Sequence, residues 1–433
     1  MVRSSTVEIV LRLPLAQGSR AFGGIGLAVA LASSSPRSTL AQNRAAYPDT
    51  QPIKPRVELF GQLVTDVIYD FEQNNPAWFD VVRPTKLPAF TDEFGRDGRM
   101  YYSVRPTRLG VRTAIPTKMG QVNGIFDFDM FGDAGRAGFS LSRAYVSLGK
   151  WGMGQYDSPF MDIDVFPNTL EYWGPSGMIF FRNVQVRYMP IQGASRVTVA
   201  LERPGASGDR GDADGTDVLH HIDLADVVGR FPWPDLSAEG RLGRKWGYVE
   251  LAGILRGIYW DDLLRRTNID LDGSALGWGL SLSSNIKTSK TDVFKLQINY
   301  GEGIESYVSD APFDIGAERH PENPFRPITG EALPVLAGTA FYDHSWNSRF
   351  TSSIGYSAVR ITNSDGQSAL AFHSGQYALA NLLYNPDPAL LFGAELQWGH
   401  RKNAFDGFGS SDFRIQFTGR LNFAMPLVAK QEK

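Results

Sequence analysis

The sequence predicts an all-β protein, a single antiparallel transmembrane barrel of about sixteen strands around a water-filled channel. Three observations predict it. Apolar and polar residues alternate with a period of two over stretches of about 10–15 residues. No apolar run reaches the roughly 18 residues that a membrane-crossing helix needs. The N-terminus reads as an export signal.

The leader comes first. Arg3, Arg12 and Arg20 precede the small, apolar stretch Ala21–Ala32, and Leu40-Ala41-Gln42 follows. A basic start, a short apolar centre and a small residue at the break define a cleaved secretory signal, placed at 1–41 with Ala32 as the alternative cleavage point. A short lead-in, 42–56, precedes the barrel at 57–423, and 424–433 form a tail.

Strand parity is clearest at Val57–Phe71. Val57, Leu59, Leu63, Val67, Tyr69 and Phe71 share one face, while Glu58, Gln62, Asp66 and Asp70 share the other. Val122, Phe126, Phe128 and Met130 oppose Asn123, Asp127 and Asp129 in the same way, and Phe294, Leu296, Ile298 and Tyr300 oppose Lys295, Gln297 and Asn299. Near the C-terminus, Phe413, Ile415, Phe417, Leu421 and Phe423 alternate with Arg414, Gln416, Arg420 and Asn422. In a soluble sandwich this pattern would separate core from water. The strand length and the aromatics toward strand ends (Tyr69/Phe71, Tyr101/Tyr102, Tyr259/Trp260, Tyr356, Trp398) favour lipid outside and water inside.

Strands fall near 57–71, 101–115, 122–132, 140–150, 178–189, 195–203 and 246–260. Others fall near 274–286, 292–301, 336–346, 349–362, 370–384, 389–401 and 412–423. Two weaker ones lie near 153–157 and 216–230, which gives about sixteen, an even number as bacterial barrels prefer. Pro116–Gly120, Asn347-Ser348 and Asn385–Pro388 read as short periplasmic turns. The stretches 72–100, 204–245 and 302–334 read as outer loops.

Composition excludes several function classes. There is no cysteine, so a disulfide scaffold, a thiol nucleophile and thiolate metal sites are ruled out. A net charge of −3 argues against nucleic-acid binding. The mean hydropathy of −0.21 averages a lipid face and a water face.

The stretch Thr107–Tyr188 resembles the DcaP-like outer-membrane porins. The resemblance is carried by Arg108-Leu109-Gly110-Val111, Met119-Gly120-Gln121, Gly124–Asp129, Arg143–Gly149 and Gly154–Phe160. It is densest at Asn168–Gly177 (NTLEYWGPSG) and Arg182–Tyr188. It implies a trimeric, sixteen-stranded porin passing small, mostly anionic solutes, including aromatic dicarboxylates. Some members carry a periplasmic coiled coil after the signal; the short lead-in here, without heptads, predicts none. Phe423 would take the part of the terminal aromatic residue.

Parity directs arginines inward: Arg108, Arg112, Arg143, Arg187, Arg401, Arg414 and Arg420. Rings of arginine favour anions in a pore, and the guanidinium fork suits carboxylates. Asp127, Asp129 and Glu395 face them as acidic partners. Any one of these arginines could instead simply pair with an acid and support the wall. The segment Gln155–Gly177, stiffened by Pro159, Pro167 and Pro175, is the expected constriction loop, with Asp157, Asp162, Asp164, Glu171, Tyr172 and Trp173. Folded inward it would face Arg112, Arg143 and Arg187; otherwise it would be a surface loop packed on a neighbouring subunit.

Other motifs carry less. His220-His221 are adjacent on a loop and would point in opposite directions, so no metal site is expected. Asp209–Asp217 (DRGDADGTD) is only faintly like a calcium loop. Gly152-Met153-Gly154 and Gly301-Glu302-Gly303 open no helix and cradle no phosphate. No catalytic residue and no cofactor are expected. The functional reading is an outer-membrane, homotrimeric, anion-preferring diffusion channel, with outer-membrane lipid and small anions as partners. A lipase-type outer-membrane hydrolase and a plugged structural or adhesive barrel are the alternatives.

Overall fold

A computed structural model describes residues 55–209, 227–263 and 269–427. The signal segment, His220-His221 and all but the start of Asp209–Asp217 lie outside these residues. The described chain closes into a sixteen-stranded antiparallel barrel. Its first eight wall strands are Arg56–Asp70, Arg99–Ser103 continued by Arg108–Thr117, Gly120–Phe131, Ala137–Leu148, Trp151–Asp157, Arg182–Ile191, Arg196–Glu202, and Val227–Arg230 continued by Asp235–Arg244. The other eight are Gly247–Asp262, Gly273–Lys287, Asp292–Glu302, Pro334–Ser345, Phe350–Ile361, Phe372–Asp387, Leu390–Asn403 and Gly409–Leu427. The seam is a full ladder between first and last strands, from Val57↔Leu427 to Asp70↔Arg414.

Proline explains the two interrupted strands. Pro106 lies in the gap between Ser103 and Arg108, and Pro232 and Pro234 lie between Arg230 and Asp235. A proline nitrogen has no hydrogen to give the ladder, so the pairing stops and resumes. The strand Asp235–Arg244 corrects the reading of 204–245 as an outer loop with only a weak strand near 216–230, of which Val227–Arg230 is described. The last strand also runs four residues past Phe423, to Leu427.

One end of the barrel carries tight turns such as 118–119, 149–150, 245–246 and 388–389, together with the start of the first strand at Arg56 and the end of the last at Leu427. This is the periplasmic end by the usual build of such barrels. The opposite end carries long connections, three of which (71–98, 158–181 and 303–333) fold back inside. Phe160, Met161, Ile163, Val165, Phe166, Met178 and Ile179 from the second pack on Tyr248, Ala252, Ile254, Val335, Ala337 and Val359 of the wall and on Ile304, Tyr307 and Val308 of the third. The interior is therefore partly an apolar core. Inward Phe60, Val64 and Ile68 are buried beside Asp66 and Asp70.

The outer face is apolar, with Leu63, Val146, Met153, Leu251, Leu280, Ile298, Leu336, Ile354 and Phe417 exposed. Aromatics girdle both ends: Tyr69, Phe71 and Phe413 above, and Trp151, Tyr188, Trp246 and Trp346 below. Two expected girdle residues point the other way. Trp260 is buried with Ile258 and Ile315, and Tyr101 packs on Phe79 at 4.9 Å. Adjacent residues of a strand face opposite sides, so only one of each pair, Tyr259 or Trp260 and Tyr101 or Tyr102, can meet lipid.

Candidate permeation site

The site is built by loop 158–181 crossing the barrel. Asp157 and Arg182 are register partners at its base and pair at 3.0 Å, which pins the two ends of the loop together. From there the loop meets successive wall strands. Asp162 accepts from the Tyr248 and Ser283 hydroxyls, each at 2.6 Å, and pairs with Arg241. Asp164 shares Arg241, and the carbonyl of Phe166 accepts from Lys295 at 2.6 Å. Asn168 bonds Thr351 at 3.1 Å.

Glu395 then takes hold of the loop from the wall. Its carboxylate accepts from the Thr169 hydroxyl at 2.8 Å, from Leu170 N at 2.8 Å and from Glu171 N at 3.2 Å. Asn381 and Gln397 donate to it from the sides at 2.9 and 2.7 Å. Glu171 turns back and accepts from the Gly174 N–H. Tyr172 donates to Asp129 and stacks on Phe131, with ring centres 5.0 Å apart. Gly177 (φ 78°) lies so close to the wall that a Cβ would meet the Ala358 carbonyl at 2.4 Å, which requires glycine there.

The expected partners of the loop are thus partly corrected. Arg241 and Arg196 take its acids and Lys295 its Phe166 carbonyl, and none of the three is among the expected partners. Of the predicted trio, Arg187 reaches the Asp157 carbonyl, while Arg112 pairs with Glu58 at 3.2 Å and Arg143 with Asp127 at 3.4 Å. Arg108 shares Asp127 at 2.7 Å. Arg414 is held by Asp70 across the seam at 2.6 Å and by Asp412 of its own strand at 3.6 Å. Arg401 donates to the carbonyls of Thr85 (3.1 Å) and Leu370 (2.8 Å), bracing loops near the outer mouth, and Arg420 is buried on the inward face.

Water-facing charge is concentrated elsewhere. Arg112, Arg182 and Arg196 retain 20 %, 15 % and 15 % side-chain exposure, whereas Glu58, Asp157 and Glu239 behind them retain 8 %, 3 % and 2 %. Arg83 shows the same order at 13 %, against 0 % for its partner Asp310. The order is reversed at Asp164, 19 % exposed against 15 % for Arg196 and 6 % for Arg241, and at Lys295–Asp343, 7 % and 17 %. Gln62, Asn123, Tyr145, Ser147 and Tyr156 are partly exposed polar residues beside Arg112 and Arg182, and with them form a polar strip against the strands between Arg56 and Arg182. The interior also carries aromatic faces. Arg83 lies 4.7 Å over Trp78 and 4.9 Å over Trp173, and Arg182 lies 5.0 Å over Phe180. Parity flags Arg112 as inward, but it sets Arg182 on the face of Val184 and Val186, so alternation misses it; Arg83 sits in a loop without parity and left no signal. Among the described residues no His/Cys/Asp/Glu group is arranged to hold a metal.

A closed sixteen-stranded barrel with a lipid-compatible outer face, a partly wet polar interior and an inward-folded loop is the architecture of an outer-membrane porin. Residues 30–224 match the family model of the DcaP outer membrane protein, so the resemblance carried by Thr107–Tyr188 is to that family. The outer membrane channel DcaP of Acinetobacter baumannii superposes with a TM-score of 0.69 at 20% identity, over 85% of this chain and 97% of that one. An anion-selective porin from Comamonas acidovorans gives 0.55 at 11% identity, over 86% and 100%. Outer-membrane expressed OmpT of Vibrio cholerae gives 0.51 at 11% identity, over 87% and 100%. At these identities the likeness is one of fold. No functionally curated protein matches the sequence.

Proposed function

We propose that the protein is a diffusion channel of the outer membrane that prefers small anions, carboxylates and dicarboxylates foremost. The observation that carries this reading is the order of charge within the interior ion pairs. At Arg83, Arg112 and Arg182 the guanidinium stands toward water and its carboxylate lies behind. A permeating ion then meets the cation first, in a narrow space where charge is weakly screened. Arg108, Arg143, Arg187, Arg401, Arg414 and Arg420 are more deeply buried and mainly brace the wall and loops. The aromatic faces of Trp78, Trp173 and Phe180 beside Arg83 and Arg182 suit carboxylates that carry a ring. The proposal includes export through a cleaved signal peptide and assembly as a homotrimer, both resting on the resemblance and the leader sequence.

Reversal potentials in planar bilayers test it. Chloride preference that drops when Arg112 and Arg182 become alanine is the expected result; a cation preference overturns it.

The hydrolase alternative has one observation in its favour. Asp292, His344 and Ser352 are register neighbours on the outer face, and Asp292 Oδ1 lies 2.5 Å from His344 Nδ1. Yet the Ser352 hydroxyl accepts from the Trp346 indole at 2.9 Å and makes no hydrogen bond to His344, so the nucleophile lacks its base. Turnover of a lipid ester that is lost in Ser352→Ala would favour this reading over a channel without chemistry.

A further inference from the structure

Near its loop end the outer face carries two cations side by side. Arg360, Ser374 and Lys402 sit side by side on three adjacent strands: Arg360 partners Ser374, and Ser374 partners Lys402. Parity turns all three outward. Ile354 and Tyr356 are exposed on the same face of the strand that carries Arg360, as are Phe392 and Leu396 on the strand that carries Lys402. Arg360 and Lys402 are themselves exposed, and neither pairs with a carboxylate among the described residues. His373, whose Nδ1 is 2.8 Å from Asn363 Oδ1, lies in the electrostatic field of both cations.

Height fixes what this row can meet. Tyr356, Ala378 and Trp398 form a parallel row on the same three strands, four positions closer to the periplasm. Tyr356 donates to Gln376 at 2.8 Å, and Trp398 stacks flat on His400 at 6.0 Å. Aromatics of this kind mark the boundary between acyl chains and headgroups. Four residues at roughly 3.3 Å each put the cations about 13 Å along the strand beyond that boundary, less the strand tilt. The row stands at the loop end of the barrel, in the outer leaflet. Two strand spacings of about 4.8 Å separate the two cations by roughly 10 Å, a gap that one headgroup bearing two phosphates can span.

We propose that Arg360 and Lys402, with Ser374 between them, form a binding site for the phosphate groups of an outer-leaflet glycolipid. The guanidinium offers a two-pronged bond to phosphate oxygens, the ammonium a point charge, and the serine hydroxyl a further donor. The acyl chains would run down over Ile354, Leu382 and Leu396, which are all exposed on the outer wall. The site is on the lipid side of the wall and does not depend on what the channel passes.

Native mass spectrometry of the full-length protein in detergent, titrated with diphosphoryl lipid A, tests the site. The parallel arms are a phosphate-free glycolipid and inorganic phosphate as competitor. Expected are retained diphosphoryl lipid A, weak retention of the phosphate-free lipid, and no displacement by inorganic phosphate at equal concentration. Arg360→Ala with Lys402→Ala should weaken binding roughly tenfold, and Arg360→Lys should keep most of it. Heat-modified gel migration reports separately that each variant barrel is folded. Equal binding by the folded double variant, equal binding of the phosphate-free lipid, or displacement by inorganic phosphate would each overturn the proposal. The last two arms use the unaltered protein and hold even if the double variant does not fold.

Discussion

The Glu395 carboxylate, on the barrel wall, accepts the Thr169 hydroxyl of the inward loop at 2.8 Å, and the next two backbone N–H groups of that loop end on the same carboxylate. One side chain thus satisfies the tip of a loop that would otherwise bury unpaired donors. Removing it in Glu395→Ala strands those donors and the Asn381 and Gln397 amides, at about 1–3 kcal/mol for each group left unpaired. Single-channel recording should show a larger and noisier conductance. Glu395→Gln, which keeps one acceptor oxygen but turns an amide N–H toward the donors on the other, should fall between the two; an unchanged Glu395→Ala current would show that the loop is held without this contact.

Arg112 and Arg182 should govern selectivity, because each faces water ahead of its acid. Alanine at Arg112 and Arg182 together should lower the chloride-to-potassium permeability ratio several-fold, and raising the salt should shrink the difference as charges are screened. Permeability ratios from asymmetric KCl gradients measure this. Equal ratios in variant and parent would remove these residues from the selectivity account.

Arg414 predicts the opposite profile. It is fully buried and ties Asp70 to the last strand at the closing seam, where the two are register partners. Arg414→Ala leaves a buried carboxylate without its partner, which costs about 3–5 kcal/mol. The temperature at which the barrel loses its heat-resistant gel mobility should fall, with selectivity little changed in the protein that folds.

Glu171 gives the loop a pH dependence. Burial, with the like charge of Glu395, pushes its carboxyl well above the ordinary 4.5, against the pull of the Gly174 N–H. A carboxyl raised in the folded state adds stability that is complete below about 4.5 and is lost as pH rises through the raised value. The loop should therefore be held most firmly in acid, and current noise should grow as the pH is raised from mildly acidic to alkaline. Glu171→Gln should flatten that trend, since its side chain does not titrate.

The strands were legible because lipid and water impose the period-two pattern directly on residues such as Val57–Phe71 and Phe413–Phe423. Asp235–Arg244 was less so, since Ser237, Ala238, Gly240 and Gly243 offer little contrast between faces. Parity placed Asp127 and Arg108 on the interior and could not say that they meet. It also could not bring Asp162 to Arg241, which lie 79 residues apart in sequence and touch only because the loop folds inward. Whether an inward arginine faces water or hides behind another loop depends on the three connections that fill the interior. Arg401 illustrates this, inward by parity and bonded to the carbonyls of Thr85 and Leu370.

The central claim, a channel whose water-facing arginines favour anions, is tested most directly by the zero-current potential of the purified protein in a planar bilayer under a KCl gradient. The account predicts stepwise conductance and a potential displaced toward the chloride equilibrium value. A potential displaced toward the potassium value, or a membrane without conductance steps, would contradict it.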